Sequence, residues 1–370
     1  MAQIRLDDLL HDMVDRNASD LFVKAGAPPH IRVDGLIQPL DFGDFSVEDV
    51  QELAYGMMNE EQIERFERIP ELDLAIGVSG LGRFRVNVFR QRGTVALVFR
   101  HITHPNFTFE DLNLPDAVRV LSEKSRGLVL VTGTTGSGKS TTLAAMINHI
   151  NQHRRCHIVT VEDPIEFLHQ DNMGLISQRE VGFDTKSFQD ALKHVMRQAP
   201  DVILIGEMRD VETVQTAIAA AQTGHLVLST LHTIDAVQTV ERIINFFPAY
   251  LHMQIRMELA LGLQGVICQR LLPMSTGQGR IPAVEIMINT PYIRKLLHEG
   301  KTLELLPQIQ EGRHWGMQSF NQALFELVKT RRILLDDAMA YASSPEELKL
   351  LIEGIHSGVR KQTEGTTRSR

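Results

Sequence analysis

The chain has little cysteine, no long apolar run and no surplus of positive charge, and each shortage removes a class of answer. Cys156 and Cys268 are its only two cysteines, 112 residues apart in 370. A disulfide framework and a four-cysteine zinc site are excluded, and a reducing, cytosolic compartment is expected. No segment approaches the roughly 18 consecutive apolar residues of a membrane-spanning helix. The start, MAQIRLDDLLHDMVDRN, interleaves charges with apolar residues where a signal peptide would have an uninterrupted apolar core. Neither secretion nor membrane insertion is therefore expected. Acidic residues outnumber basic ones 46 to 38, for a formal charge of -8, which disfavours a nucleic-acid partner held by overall charge. Internal repeats and low-complexity blocks are missing too. What is there, 43% apolar and 23% charged residues with 26 Gly and 14 Pro, is the composition of an ordinary globular protein. The length suits about two domains.

Periodicity supports that division. Ile4, Leu6, Leu9, Leu10, Met13 and Val14 share one helical face, and SDLFV follows as a strand. Asp34-Gly35 joins two alternating arms as a hairpin, helices are predicted around 46–57 and 59–68, and ELDLAIGV, GRFRVNVFRQ and TVALVFR read as strands. Residues 1–101 form an α+β domain on this reading, and 102–113, with Pro105 and few periodic apolar positions, a linker. From 114 to 360 strands and helices alternate: GLVLVTG, helix 139–151, HIVTVED, helix 187–197, DVILIGE, helix 210–222 and HLVLSTL. Nearly continuous apolar strands between helices predict a parallel sheet covered on both faces, an α/β fold. Beyond about 235 the chain reads as mainly helical, apart from strands at VICQRLLP and PAVEIMI, and 361–370 reads as a disordered tail.

The sharpest motif is Gly133-Thr134-Thr135-Gly136-Ser137-Gly138-Lys139-Ser140, followed by Thr141, between an apolar strand and a helix. Its glycines let backbone N–H groups face phosphate oxygens, Lys139 would reach the β- and γ-phosphates, and the Ser140 hydroxyl would ligate Mg²⁺. The expected ligands are therefore ATP and Mg²⁺. Hydrolysis also needs carboxylates to order the metal's water shell and activate the attacking water. Glu162 closes HIVTVE and Glu207 follows DVILIG, so both are expected beside the loop, Glu207 acting on Mg²⁺ through water; which of them is the base stays open. Thr230 or His232, at the end of HLVLSTLH, could sense the γ-phosphate, and His225 opens the same block. Arg83, Arg85, Arg90, Arg92 and Arg100 cluster on adjacent predicted strands in an otherwise acidic chain, a grouping suited to phosphate.

The loop GTTGSGKSTT, the strand VTVEDPIEF, the stretch QREVGFDTKSFQDALKHVMRQAPDVILIGEMRDVET and the block TGHLVLSTLHT together closely resemble the secretion ATPase superfamily. Within it they are most similar to the PilT-type type IV pilus retraction (twitching motility) ATPases. The resemblance implies a PAS-like N-terminal domain, a RecA-like P-loop ATPase domain and a cytoplasmic homohexameric ring at an inner-membrane platform protein, with a possible paralogous motor as partner. It places Glu162 in an "Asp box", Glu207 in an atypical Walker B and His225 and His232 in a "His box", and it implies that Arg85 and Arg100 reach the nucleotide. Tyr292–Glu299 aligns with the family's retraction motif and keeps its Ile-Arg pair, one Leu and the Glu, which leaves open a principal or an accessory motor. Two distant cysteines argue against the zinc-bearing extension branch.

Overall fold

The computed structural model describes residues 6–354, so the tail expected at 361–370 and the predicted contribution of Ile4 lie outside the described residues. The chain divides into two compact units: residues up to 104 with 166–168, and 105–165 with 169 onward.

In the first unit the order is α1 (Leu6–Asp15), β1 (Asp20–Lys24), β2 (His30–Val33), β3 (Leu36–Pro39), α2 (Val47–Gly56), α3 (Glu60–Arg68), β4 (Glu71–Val78), β5 (Gly82–Gln91) and β6 (Thr94–Ile102). The strands form one antiparallel sheet, β3-β2-β1-β6-β5-β4. Alternation assigns its faces: Phe84, Val86 and Val88 of β5 are buried with Leu9, Leu10 and Met13 of α1 and Phe66 of α3. Capping boxes at Ser46/Asp49 and Asn59/Gln62 start α2 and α3, so two short helices begin where their sequences dictate. Arg85 stands opposite Arg100 in the β5–β6 register, which puts both guanidinium stems on one face. Like charges placed so repel. Carboxylates offset them: Asp20 receives Arg100 at 2.9 Å and Arg32 at 3.2 Å, and Asp73 lies 3.9 Å from Arg85. Arg90 turns to the other face, against Glu67 and the Phe66 ring.

The second unit runs α4 (Asp116–Ser122), β7 (Gly127–Thr132), α5 (Lys139–His153), β8 (His157–Glu162), β9 (Leu175–Glu180), α6 (Phe188–Val195), β10 (Val202–Ile205), α7 (Val211–Gln222), β11 (Leu226–Leu231), α8 (Ala236–Asn245) and α9 (His252–Gly262). It continues with β12 (Leu263–Pro273), β13 (Arg280–Ile288), α10 (Pro291–Glu299), α11 (Leu305–Glu311), α12 (Phe320–Lys329), α13 (Leu335–Tyr341) and α14 (Pro345–Ile352). Its sheet order is β13-β12-β7-β11-β10-β8-β9, parallel except for the β12–β13 pair. Every residue of β7, β10 and β11 is buried, as expected of strands covered on both faces.

Two differences from the sequence reading have physical reasons. The boundary between the units falls inside the segment expected as a linker, after His104, but both ends of that segment are anchored: Ile102 closes β6, and Phe109, 4% exposed, packs with Val118, Leu121, Met146 and Ile147 in the second unit's core. Phe109 lies in a turn, and an apolar residue buried from a turn leaves no helical or strand period in the sequence. The edge strand β9 was not expected, because LISQRE carries mostly polar, half-exposed side chains.

Candidate functional site

Parallel strands deliver their C-terminal ends to one edge of the second unit's sheet, where ligands of open α/β sheets bind. At that edge β7 passes directly into the loop 133–140. Gly133 has φ 144°, and a Cβ there would meet the carbonyl of Gln269 and the Ser137 hydroxyl, each at 2.5 Å. Only glycine fits. Gly138, at φ 91°, caps α5 without a side chain, so the first-turn N–H groups of that helix face the loop's interior. Lys139 is 9% exposed, and its ammonium donates to the carbonyls of Gly133 at 3.0 Å and Thr134 at 2.9 Å. The charge is thus stored inside the loop, one residue before Ser140.

The neighbouring strand ends bring the acids. Glu162 closes β8 and accepts hydrogen bonds from Thr160 at 2.7 Å and Gln178 at 3.3 Å. Glu207 follows β10 and Gly206. A Cβ at 206 would lie 3.3 Å from both the Glu162 Cα and the Val161 carbonyl, so this glycine lets the two strand ends approach. Oε2 of Glu207 accepts from Arg209 Nε at 2.9 Å, and Arg209 Nη2 lies 2.8 Å from it. Oε1 lies 3.3 Å from His232 Nε2. Thr230 is tied down, donating to the Gly206 carbonyl at 2.7 Å, which leaves His232 as the polar side chain that projects at this strand end.

His225 is elsewhere. It precedes β11, its carbonyl accepts from Gly127 at the start of β7, and its ring nitrogen contacts the Ala220 carbonyl at 3.1 Å. At a rise of about 3.3 Å per residue, six strand residues put it about 20 Å from the loop end of the sheet. The two histidines of the block stand at opposite ends of β11, because LVLSTL spans the whole strand. Arg85 and Arg100 belong to the first unit.

Two cavities, of about 350 and 300 Å³, flank the loop. The first is walled by Gly133–Gly136 with Ile234, Arg270 and Tyr341, the second by Thr141, Thr142, Leu112, Leu114 and Pro282; Ser137, Gln269, Leu271 and Arg280 line both. Sequence reasoning missed the β12–β13 residues, although a Gln-Arg pair inside an apolar strand, VICQRLL, is a signal in itself. Among the described residues no group of three or more His, Cys, Asp or Glu could hold a metal by itself. The donor set of Ser140 and nearby carboxylates suits Mg²⁺, which keeps several waters and takes one or two protein oxygens beside substrate phosphates. The loop fits a phosphate: its cradle is closed to a methyl group at Gly133, and the buried Ser137 hydroxyl has no partner among the described residues.

The type II/IV secretion system protein family matches residues 2–289. The type IV pilus ATPase PilU of Pseudomonas aeruginosa is 45% identical over 350 residues, covering 95% of this chain and 92% of its own length. The type IV pilus retraction ATPase PilT of the same organism is 44% identical over 341 residues, covering 92% and 99%. The crystal structure of the pilus retraction motor PilT with bound ADP superposes with a TM-score of 0.87 at 46% identity, over 94% of this chain and 99% of that one. With the loop, the acids and the sheet order in place, this chain belongs to the secretion ATPase superfamily, among its PilT-type type IV pilus retraction ATPases.

Proposed function

We propose that the protein is a cytoplasmic, Mg²⁺-dependent motor ATPase that assembles as a homohexamer and drives type IV pilus disassembly, hence retraction. The observation that carries this reading is the joint placement of Lys139, Glu162 and Glu207 at the C-terminal edge of one parallel sheet. Backbone N–H groups of residues 133–141 and Lys139 bind the phosphates, and Ser140 holds Mg²⁺. Bound Mg²⁺ neutralises charge on the β- and γ-phosphates. Glu207 orders metal-bound water, and one of the two glutamates accepts the proton of the attacking water. Arg85 and Arg100, with planar forks that match phosphate oxygens, stabilise γ-phosphate charge. His232 and His225 transmit nucleotide state, the first at the loop edge and the second at the opposite edge. No helix among the described residues is long and apolar enough to cross a membrane, so the machine's inner-membrane platform protein is the expected anchor. Purified protein should hydrolyse ATP only with Mg²⁺ and run as a hexamer with a non-hydrolysable analogue; a monomer under those conditions overturns the ring.

A second reading, an accessory motor that assists a principal one, is favoured by α10. Tyr292 stands where the family's retraction motif has alanine, is 46% exposed, and opens a segment that keeps four of the motif's eight positions. Deleting the gene with a paralogous motor intact separates the two: lost retraction supports the principal role, unchanged retraction the accessory one.

A further inference from the structure

Gln269 bears on the phosphate loop at both ends. It lies on β12, the strand beside β7, and is 2% exposed. An amide buried in an apolar strand costs free energy unless its hydrogen bonds are recovered. Half of them are. Nε2 donates to the Thr142 hydroxyl at 2.9 Å, in the first turn of α5, and Thr142 is itself 2% exposed. The backbone carbonyl of Gln269 meanwhile sits 2.5 Å from the point a Gly133 Cβ would occupy. One residue therefore brackets the loop from its first glycine to the helix that follows.

The oxygen of the same amide is open. Oε1 of Gln269 has no hydrogen-bond partner among the described residues, and neither does the Ser137 hydroxyl. Both are buried, both line the two cavities flanking the loop, and Ser137 Oγ lies 2.5 Å from the same Gly133 Cβ point. Folded proteins rarely leave such groups unpaired without a functional reason. An acceptor on the strand and a hydroxyl on the loop can satisfy each other if the loop shifts, and a bound phosphate supplies the pull.

We propose that Gln269 is a positioning residue for the phosphate loop: it fixes the start of α5 through Thr142 and receives the Ser137 hydroxyl when a nucleotide's phosphates draw the loop into its bound form. This rests on the reading of residues 133–140 as a nucleotide site. Gln269 touches no reacting atom. Its effect falls on affinity, because both contacts bear on the shape of the loop and neither on the attacking water.

The test uses the full chain, with mant-ADP binding and steady-state ATP hydrolysis as readouts. Gln269→Leu should weaken mant-ADP binding and raise KM for ATP by about tenfold, the size of one lost charge-positioning hydrogen bond, with kcat within threefold. Gln269→Met serves if the leucine variant does not fold, as judged by circular dichroism. Thr142→Val should produce part of the same loss, and the double variant should be no weaker than Gln269→Leu, since the two side chains act as a pair. Wild-type affinity in both Gln269 variants, additive losses in the double variant, or a fall in kcat at unchanged KM would each overturn the proposal. Failure of the unsubstituted protein to bind mant-ADP would instead overturn the nucleotide reading on which it stands.

Discussion

Glu207 and His232 face each other across the ends of β10 and β11, Oε1 3.3 Å from Nε2, while Arg209 holds the opposite carboxylate oxygen. The acid is thus clasped between an imidazole and a guanidinium, and it must give up one partner to approach a water. Glu207→Ala should lower kcat by about a hundredfold or more, the range of a lost proton-transfer group. Binding of mant-ADP should stay within threefold. Phosphate release at the unsubstituted rate would remove Glu207 from the chemistry.

The two histidines should part company. His232→Ala removes the partner of Glu207 and is expected to slow hydrolysis at saturating ATP. His225→Ala acts at the far end of β11, where the ring contacts the Ala220 carbonyl, and should leave nucleotide affinity of the isolated subunit within twofold. Equal losses of affinity in both variants would contradict this placement.

Two glycines of the loop make a matched pair for substitution. Gly133→Ala puts a methyl group 2.5 Å from a backbone carbonyl, whereas Gly136→Ala, at φ 76°, meets nothing within 4 Å. The second should cost only the left-handed backbone strain, about 1–2 kcal/mol. The first should cost more than that and abolish the thermal shift produced by ADP. Denaturant unfolding of the two variants ranks them.

Lys139→Ala removes the ammonium held by the Gly133 and Thr134 carbonyls. Turnover should disappear, and mant-ADP titration should show binding weakened by at least an order of magnitude, since no other cation lies within the loop sequence itself. Retained tight binding would mean that the backbone N–H groups alone carry the phosphates.

Stability should depend on Glu285. This carboxyl is 3% exposed on β13 and accepts the N–H of Ala236 at 2.8 Å at the start of α8, with the backbone of Phe320 at the start of α12 also acting on it. Burial pushes it up to about 7; Asp235 adds to the rise, and those two backbone groups and Arg270 oppose it. The folded protein then holds a proton that the unfolded chain has released between the ordinary value of 4.5 and about 7. Stability therefore falls as pH rises through that window and levels off above it, by up to about 1.4 kcal/mol per unit. Glu285→Gln keeps the acceptor and should flatten that part of the Tm-against-pH curve. An unchanged slope would place the titration elsewhere.

The sheet's centre could be read from sequence because its determinants are local: GLVLV and VILI are apolar throughout, and the loop glycines follow their strand without a gap. The acids could be placed because a strand's end is visible in its own residues. The rear wall of the site could not. Gln269 meets Thr142 across 127 positions, and Arg270 reaches Tyr341 and Ser343 while its guanidinium stacks 3.8 Å from the centroid of Phe320. Such contacts depend on which strand lies beside which, and β12 enters the sheet next to β7 only after more than a hundred intervening residues.

The contact between Gly206 and the backbone at Glu162 has a consequence for how this chain can change over generations. The distance between its two acids is kept by a hydrogen atom standing where every other residue carries carbon. A drift to alanine at 206 leaves both carboxylates in the sequence and every motif readable, yet it wedges the two strand ends apart by a few tenths of an ångström. An enzyme altered in that way would still be recognised by its letters while its two acids stood at a changed separation.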